Sequence, residues 1–117
     1  KMKNTKEKIL VVDDEKRMCD SLKILLSDLG YDVTALQEGG KAIEKIRSTK
    51  GGFDAVISDI KMPDFDGIEV LKRINEFGTT ILLVTHNREV VNRLRKRVIT
   101  LHNGRIIADE KEGKYRL

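Results

Sequence analysis

The feature that most constrains the fold is a short apolar stretch that ends on a carboxylate. It spans residues 54–59 (DAVISD) and is followed by a loop of Pro, Asp and Gly residues that ends at Gly67. A parallel strand covered on both faces is almost continuously apolar, so this stretch predicts a buried strand. Ligands of open α/β sheets bind beyond the carboxyl ends of the strands. Asp59 is therefore predicted to lie at a binding edge, although on its own it can equally cap the strand or its turn.

Similar apolar runs recur along the chain and alternate with segments of helical periodicity. Predicted strands lie at residues 9–12, 31–35, 54–59, 81–84 and 98–101. In the first predicted helix, apolar side chains recur at helical spacing from Met18 to Leu29, and Gly30 stands where a C-terminal cap is needed. Strands that alternate with helices and short loops predict a mostly parallel, three-layer α/β sandwich with right-handed crossovers. We expect one domain over residues 1–117.

The last connection between predicted strands is a tight turn rather than a helical crossover. Asn103 and Gly104 separate the apolar run that ends at Leu101 from the run Arg105–Ala108. Asn-Gly is the strongest short signal for a tight hairpin, because both central residues of a type I′ turn need positive φ. The final strand is therefore predicted to be an added antiparallel edge of the sheet. Because an exposed edge can pair with another chain, we expect a monomer or an edge-mediated dimer.

Composition excludes some classes of protein. The chain has 117 residues, of which 39% are hydrophobic and 36% charged, with one cysteine, Cys19. No apolar run approaches membrane-span length, no signal peptide is evident, and a lone cysteine fits a reduced cytoplasmic setting. Residues 1–78 carry 14 Lys+Arg against 15 Asp+Glu, whereas residues 79–117 carry 9 against 4. That step in charge indicates either a nucleic-acid surface or two segments of different origin.

Polar side chains that can carry chemistry follow three of the predicted strands. Asp13 and Asp14 follow the first, Asp59 ends the third, and Thr85 follows the fourth. Carboxylates crowded at one edge repel unless a cation compensates, and Mg²⁺ prefers oxygen ligands. A carboxylate can also attack a phosphoryl group, and a threonine hydroxyl can donate to a phosphoryl oxygen. Taken singly, the acidic pair can instead cap the first helix, and Thr85 can be an ordinary strand residue.

Two segments of the sequence resemble the receiver domain of bacterial two-component response regulators. They are residues 9–15 (ILVVDDE) and residues 54–67 (DAVISDIKMPDFDG), and the likeness runs over about residues 8–77. The resemblance implies a flavodoxin-like doubly wound parallel sheet with strand order 2-1-3-4-5. It also implies a binding module rather than an enzyme, with a small-molecule phosphodonor or a histidine kinase as partner.

The same resemblance implies roles for particular residues. Asp59 would be the phosphoacceptor. Asp13, Asp14 and Asp59 would surround Mg²⁺, to which Lys61 would contribute its backbone carbonyl. Thr85 falls at the position of the family's switch hydroxyl.

After Gly78 the family pattern is not continued. The receiver's Lys-Pro at the end of the fifth strand is replaced by Leu101-His102, and the fifth helix is missing. Residues 79–117 instead resemble the C-terminal part of an ABC-transporter ATPase domain of the cell-division type, in which His86 would be the switch-loop histidine. The chain has no phosphate loop or ABC signature sequence, so we expect no nucleotide. We interpret the chain as an engineered chimera joined near Asn75–Thr80.

The leading prediction is a chimeric α/β protein that keeps the Mg²⁺-binding phosphoacceptor half-site around Asp59 without a complete signalling or ATPase apparatus. The alternatives are a functional phosphorelay receiver domain and a purely structural product without activity. Nucleic-acid binding through the basic helix predicted at residues 87–97 is not favoured, because no aromatic residues accompany its arginines. Nucleotide hydrolysis is disfavoured by the missing phosphate loop.

Overall fold

The structure is a computed structural model that describes residues 6–50, 52–59, 72–76, 78–85, 88–94 and 96–111. Its strands are β1 (Lys8–Val12), β2 (Asp32–Leu36), β3 (Ala55–Asp59), β4 (Thr80–Val84), β5 (Val98–His102) and β6 (Arg105–Glu110). Its helices are α1 (Lys16–Asp28), α2 (Gly39–Ser48), α3, described over residues 72–76, and α4 (Arg88–Leu94). The chain divides into two compact units, with the boundary between Val84 and Thr85.

The first unit is built on a parallel four-stranded sheet in the order β2-β1-β3-β4. β1 pairs with both neighbours over most of its length, so that Val12 lies opposite Leu36 of β2 and Ser58 of β3. The next pair, β3 with β4, brings Asp59 opposite Val84. The flavodoxin-like order predicted for the first four strands is confirmed, and β1 and β3 are neighbours as expected.

The core explains why the central strands carry so few polar residues. On one face of the sheet, Ile9, Val11 and Val33 are buried, and Leu22 and Leu26 of α1 pack against them. Because side chains alternate along a strand, the other face is lined by Leu10, Val56 and Ser58, which are also fully buried. Strands buried on both faces read as apolar runs, which is how β1 and β3 read in the sequence.

The end of α1 follows the predicted capping pattern. The backbone N–H of Gly30 donates to the carbonyl of Ser27 at 3.0 Å, and that of Tyr31 donates to the carbonyl of Leu26 at 3.1 Å. Gly30 has a φ of 100°, a left-handed conformation that a residue without a side chain adopts at little cost. The glycine therefore ends α1 and turns the chain into β2.

The second unit contains the predicted antiparallel hairpin. β5 and β6 are joined through Asn103 and Gly104, whose φ values of 49° and 74° fit the positive φ that this turn requires. Arg97, just before β5, donates two hydrogen bonds to the carboxylate of Asp109 at 2.9 and 2.7 Å. These hydrogen bonds hold the pKa of Asp109 below its usual range.

Among the described strands, the predicted hairpin forms a sheet of its own. The fifth strand was expected beside β4, but β5 pairs with β6 in a two-stranded sheet of their own. In β5, Thr100 is buried, whereas Ile99 and Leu101 are exposed. Side chains along β5 thus alternate between buried and exposed, as the period of two of a strand allows.

None of the helices in the described ranges is long and apolar enough to cross a membrane. The predicted third helix is described only at its C-terminal end, where residues 72–76 are helical. The end of that helix is fixed to the sheet by Asn75, whose Nδ2 donates to the carbonyl of Thr79 at 2.9 Å. The hydroxyl of Thr79 in turn donates to the carbonyl of Phe53 at 3.0 Å, just before β3.

Candidate metal centre

Three carboxylates meet at the carboxyl ends of β1 and β3. Asp13 and Asp14 directly follow β1, and Asp59 is the last residue of β3. One oxygen of each lies within 4.8 Å of one oxygen of the other two. Asp13 is buried, Asp59 is half-buried and Asp14 is exposed. The cluster thus runs from the interior of the fold to its surface, which leaves one side accessible from solvent.

Asp13 is fixed through both its backbone and its side chain. Its N–H donates to the carbonyl of Leu36 at 3.1 Å, which continues the ladder between β1 and β2 by one residue. Its Oδ1 accepts a hydrogen bond from the N–H of Glu15 at 2.8 Å. Glu15 is the N-cap of α1 and makes no side-chain cap of its own. Asp13 therefore supports the entry to α1, and it does so while facing the other two carboxylates.

Sequence reasoning missed a neighbour of this cluster. Cys19, in the first turns of α1, is only 3% exposed. Its Sγ donates to the carbonyl of Asp13 at 3.2 Å and lies 3.5 Å from the carbonyl oxygen of Leu36. Burial raises the pKa of the Cys19 thiol, so it is held as a neutral donor. The sequence shows that Cys19 lies six residues after Asp13 on the predicted first helix, but it does not reveal this contact with a backbone carbonyl.

Asp59 is positioned by the strand that precedes it. Val56 and Ser58 are fully buried, so β3 is held in the sheet up to its last residue. Pairing in register with β4 fixes the position of Asp59 opposite Val84. Within the described part of the chain, the Ser58 Oγ has no hydrogen-bond partner. The loop that follows Asp59 begins outside the described residues.

The other predicted site residues stand as follows. Thr85 directly follows β4, is half-buried, and is the first residue of the second unit. Its predicted contact with a phosphoryl group on Asp59 stays a prediction. Lys61 and His86 lie outside the described residues.

The donor set of the cluster fits a magnesium ion. Three carboxylates offer hard, negatively charged oxygen ligands of the kind that Mg²⁺ takes in proteins. Mg²⁺ usually keeps several waters or takes phosphate oxygens as well, and the exposed side at Asp14 has room for them. Negative charges at such short range repel one another, so the arrangement favours a bound cation.

Comparison with known families agrees with this geometry. The model of the response regulator receiver domain matches residues 9–103. This chain belongs to the receiver domain family. The match extends beyond residue 77, where the motifs of the family were expected to end, and it includes β4, α4 and β5.

The chain is similar to two curated proteins of different kinds, a transcriptional regulator and an ATP-binding protein. The transcriptional regulatory protein ZraR of Klebsiella oxytoca is 45% identical over 73 residues, which is 62% of this chain and 16% of that protein. The cell division ATP-binding protein FtsE of Streptococcus pneumoniae is 54% identical over 48 residues, which is 41% of this chain and 21% of that protein. The chain thus spans about a fifth or less of the length of these relatives.

The fold of this chain resembles solved structures of response regulators. The chemotaxis response regulator CheY4 of Vibrio cholerae is 31% identical, covers 73% of this chain and 74% of its own, and has a TM-score of 0.59. A crystal structure of the histidine kinase ThkA in complex with the response regulator protein TrrA matches at 36% identity, with coverage of 68% and 69% and a TM-score of 0.56.

Proposed function

We propose that this receiver domain accepts a phosphoryl group on Asp59 and that Asp13, Asp14 and Asp59 hold the Mg²⁺ that the reaction needs. The observation that carries the proposal is the meeting of these three carboxylates within 4.8 Å at the carboxyl ends of β1 and β3. In open α/β sheets, this edge is where ligands bind. Membership of the receiver family supports the same assignment.

Each residue of the cluster has a part in the proposed transfer. A carboxylate oxygen of Asp59 attacks the phosphorus of the donor, an acyl phosphate forms, and the bond from phosphorus to the donor's leaving group breaks. When bound, Mg²⁺ supplies positive charge that screens the phosphoryl oxygens. Asp13, fixed by the Glu15 N–H, and the exposed Asp14 provide two of its ligands. The backbone carbonyl of Lys61 is proposed as a further ligand.

The proposal assigns no enzymatic turnover to the chain itself. The phosphoryl group comes from a small-molecule phosphodonor such as acetyl phosphate, or from a histidine kinase. A receiver-like neighbour in complex with a histidine kinase supports the second source. The hydroxyl of Thr85, which directly follows β4, is proposed to donate to a phosphoryl oxygen on Asp59.

We further propose that the chain is an engineered chimera, in which a receiver fragment is joined to the end of an ABC-transporter ATPase domain. Three observations support this origin. Residues 79–117 carry 9 Lys+Arg against 4 Asp+Glu, whereas residues 1–78 carry 14 against 15, β5 and β6 form a separate sheet, and 48 residues are 54% identical to a cell-division ATP-binding protein. Because the family's Lys-Pro is replaced at Leu101-His102, we expect phosphorylation to be slower and its signal weaker than in a complete receiver.

The experiment is incubation of the chain with acetyl phosphate and Mg²⁺, followed by intact-mass spectrometry. We expect one phosphoryl adduct, no adduct when Mg²⁺ is chelated, and none in Asp59→Asn. The matched control is Asp54→Asn, at the opposite end of the same segment, where the carboxylate accepts the N–H of Lys8 at 2.7 Å. That variant should still be phosphorylated.

Two results would contradict the proposal. One is the absence of any adduct in the unsubstituted chain under conditions that label a known receiver. The other is an adduct that persists in Asp59→Asn. The first result would favour a purely structural product, whereas a stable adduct that changes binding to a histidine kinase would favour a complete phosphorelay receiver.

A further inference from the structure

A buried hydroxyl lies directly before the proposed phosphoacceptor. Ser58, the residue before Asp59, is only 1% exposed, and its Oγ finds no hydrogen-bond partner in the part of the chain that the structure describes. Nearly all buried polar side chains in proteins are satisfied, either by protein groups or by ordered water. The Ser58 hydroxyl is therefore expected to bind a group other than the described protein atoms.

The surroundings of Ser58 are apolar, which makes a serine costly there. The register places Ser58 opposite Val12 of β1 and Leu83 of β4. Val56, two residues earlier on the same face of the sheet, is fully buried. A buried hydroxyl without a partner lowers stability, because it gives up its hydrogen bonds to water and gains none in return. Proteins break such local rules mainly at functional sites.

Ser58 adjoins the carboxylate cluster on two strands. It directly precedes Asp59 on β3, and its neighbour on β1, Val12, directly precedes Asp13. In the described part of the first unit, the buried polar residues are Asp13 and Ser58. These two residues thus lie on neighbouring strands, at the same end of the sheet.

A magnesium ion in this cluster would make contacts beyond its direct ligands. Mg²⁺ usually keeps several waters, and each can form a hydrogen bond of its own. A metal–oxygen distance of about 2.1 Å and a hydrogen bond of about 2.8 Å together reach about 5 Å from the ion. That reach is close to the spacing of neighbouring strands. A residue that adjoins two of the ligands, as Ser58 does, is suited to such a contact.

We propose that the Ser58 hydroxyl hydrogen-bonds a water molecule of the magnesium ion held by Asp13, Asp14 and Asp59. The inference rests on the proposed function, because it requires the ion at this cluster. Ser58 then acts as a positioning residue. It supplies no direct ligand, but it holds one of the ion's waters and so orients the ion beside Asp59. Groups of this kind, which orient the ligands of a metal, tune its affinity.

The test is titration of the full chain with Mg²⁺ alone, followed by calorimetry. Ser58→Ala removes the hydroxyl and should raise the dissociation constant of Mg²⁺ by about tenfold or more, as loss of such an outer contact typically does. In the presence of a chelator, the melting temperature of this variant should equal or exceed that of the unsubstituted chain. The reason is that no described protein group loses a hydrogen bond.

The matched control is Val56→Ala, on the same strand and the same face. Its side chain is equally buried, so the cavity should lower the melting temperature. The dissociation constant of Mg²⁺ should be unchanged in this variant, because Val56 has no polar group to offer. The pair therefore separates a positioning role from a general weakening of β3.

Three results would overturn the inference. One is a Ser58→Ala variant that binds Mg²⁺ as tightly as the unsubstituted chain. Another is a Ser58→Ala variant that melts at a lower temperature in the chelator, which would mean that the hydroxyl bonds to a protein group. The third is a Val56→Ala variant in which Mg²⁺ binding is weakened to the same extent.

Failure of the proposed function would give a different pattern. The unsubstituted chain would then not bind Mg²⁺, or Asp59→Asn would bind it as tightly, and either result would overturn both proposals. If the inference about Ser58 fails alone, Mg²⁺ binding still depends on Asp59 but not on Ser58.

Discussion

At the scale of single residues, the carboxylate cluster is contacted by a buried thiol. The Sγ of Cys19 donates to the carbonyl of Asp13, the residue whose side chain accepts the N–H of Glu15. The thiol is buried among the backbone groups that end β1 and β2. The backbone of Asp13 is therefore held by Cys19, a residue that is not itself a proposed metal ligand.

Cys19 should make the stability of the chain sensitive to alkaline pH. Burial raises its pKa above the ordinary value of 9.0. A group whose pKa is raised in the folded state contributes stability that is fully present below its unfolded pKa and is lost as pH rises through the folded pKa. We expect the free energy of unfolding, measured with urea, to fall above pH 9.0. Cys19→Ala should lower stability at neutral pH by about 1 kcal/mol and flatten this alkaline decline.

The reactivity of the same thiol gives an independent check. A buried, neutral thiol should react slowly with a disulfide reagent in the folded chain and rapidly in urea, because the thiolate is the nucleophile. Equal rates in the two states would contradict the burial of Cys19.

The contrast between Asp59 and Cys19 shows which site residues a sequence can reveal. Asp13, Asp14 and Asp59 could be predicted together, because each follows an apolar run and parallel strands end at the same edge. Cys19 gave no such signal, since a cysteine on the apolar side of a helix reads the same whether or not its sulfur donates to a functional residue. Its partner is a backbone carbonyl, and a sequence pattern does not encode that contact.

At the scale of elements, a buried position of β3 should tolerate substitution far less well than an exposed position of the adjacent β4. Val56 is 0% exposed, so Val56→Ala should leave a cavity and lower the free energy of unfolding by about 2–3 kcal/mol. The matched control is Val84→Ala on the adjacent strand, where the side chain is 52% exposed and the cost should be under about 1 kcal/mol. Urea unfolding of both variants in dilute protein measures the difference. Equal costs would mean that β3 is not the buried strand described here.

The hairpin shows where prediction of elements reaches its limit. Asn103 and Gly104 identified the turn because their backbone conformation is demanding and few residues satisfy it. That β5 pairs with β6 alone among the described strands could not be predicted, because an apolar run such as residues 98–101 reads alike in a buried parallel strand and in a hairpin with one exposed face. Alternating burial, with Thr100 inside and Ile99 and Leu101 outside, is a tertiary property that the sequence did not display.

At the scale of the whole molecule, the predicted junction between the two sequence segments does not coincide with the boundary between the two compact units. The change in sequence character was predicted near Asn75–Thr80, whereas the compact units meet between Val84 and Thr85. β4 thus belongs to the parallel sheet by packing, although its sequence lies after the predicted junction. Short apolar strands with helical crossovers are interchangeable between α/β proteins, so a strand of different origin can still pair with β3.

The carboxylate cluster should couple the stability of the whole first unit to magnesium. The proposed Mg²⁺ would bind the folded cluster and not the unfolded chain, so it should raise the free energy of unfolding by about 2.7 kcal/mol at a concentration one hundred times its dissociation constant. Asp59→Asn removes one of three mutually repelling charges. In the absence of the ion, this variant should be more stable than the unsubstituted chain, by about 1 kcal/mol.

Asp59→Asn should therefore be more stable than the unsubstituted chain without Mg²⁺ and less stable than it with Mg²⁺, which makes the measurement decisive. Thermal unfolding with Mg²⁺ and with a chelator should show that magnesium stabilises the unsubstituted chain and has little effect on Asp59→Asn. Asp54→Asn, which changes the same charge at the other end of the segment, should respond to Mg²⁺ like the unsubstituted chain. If all three proteins respond equally, magnesium binds elsewhere. If Asp59→Asn is less stable without the ion, the carboxylate contributes a contact that outweighs its repulsion, and the cluster is structural rather than a metal site.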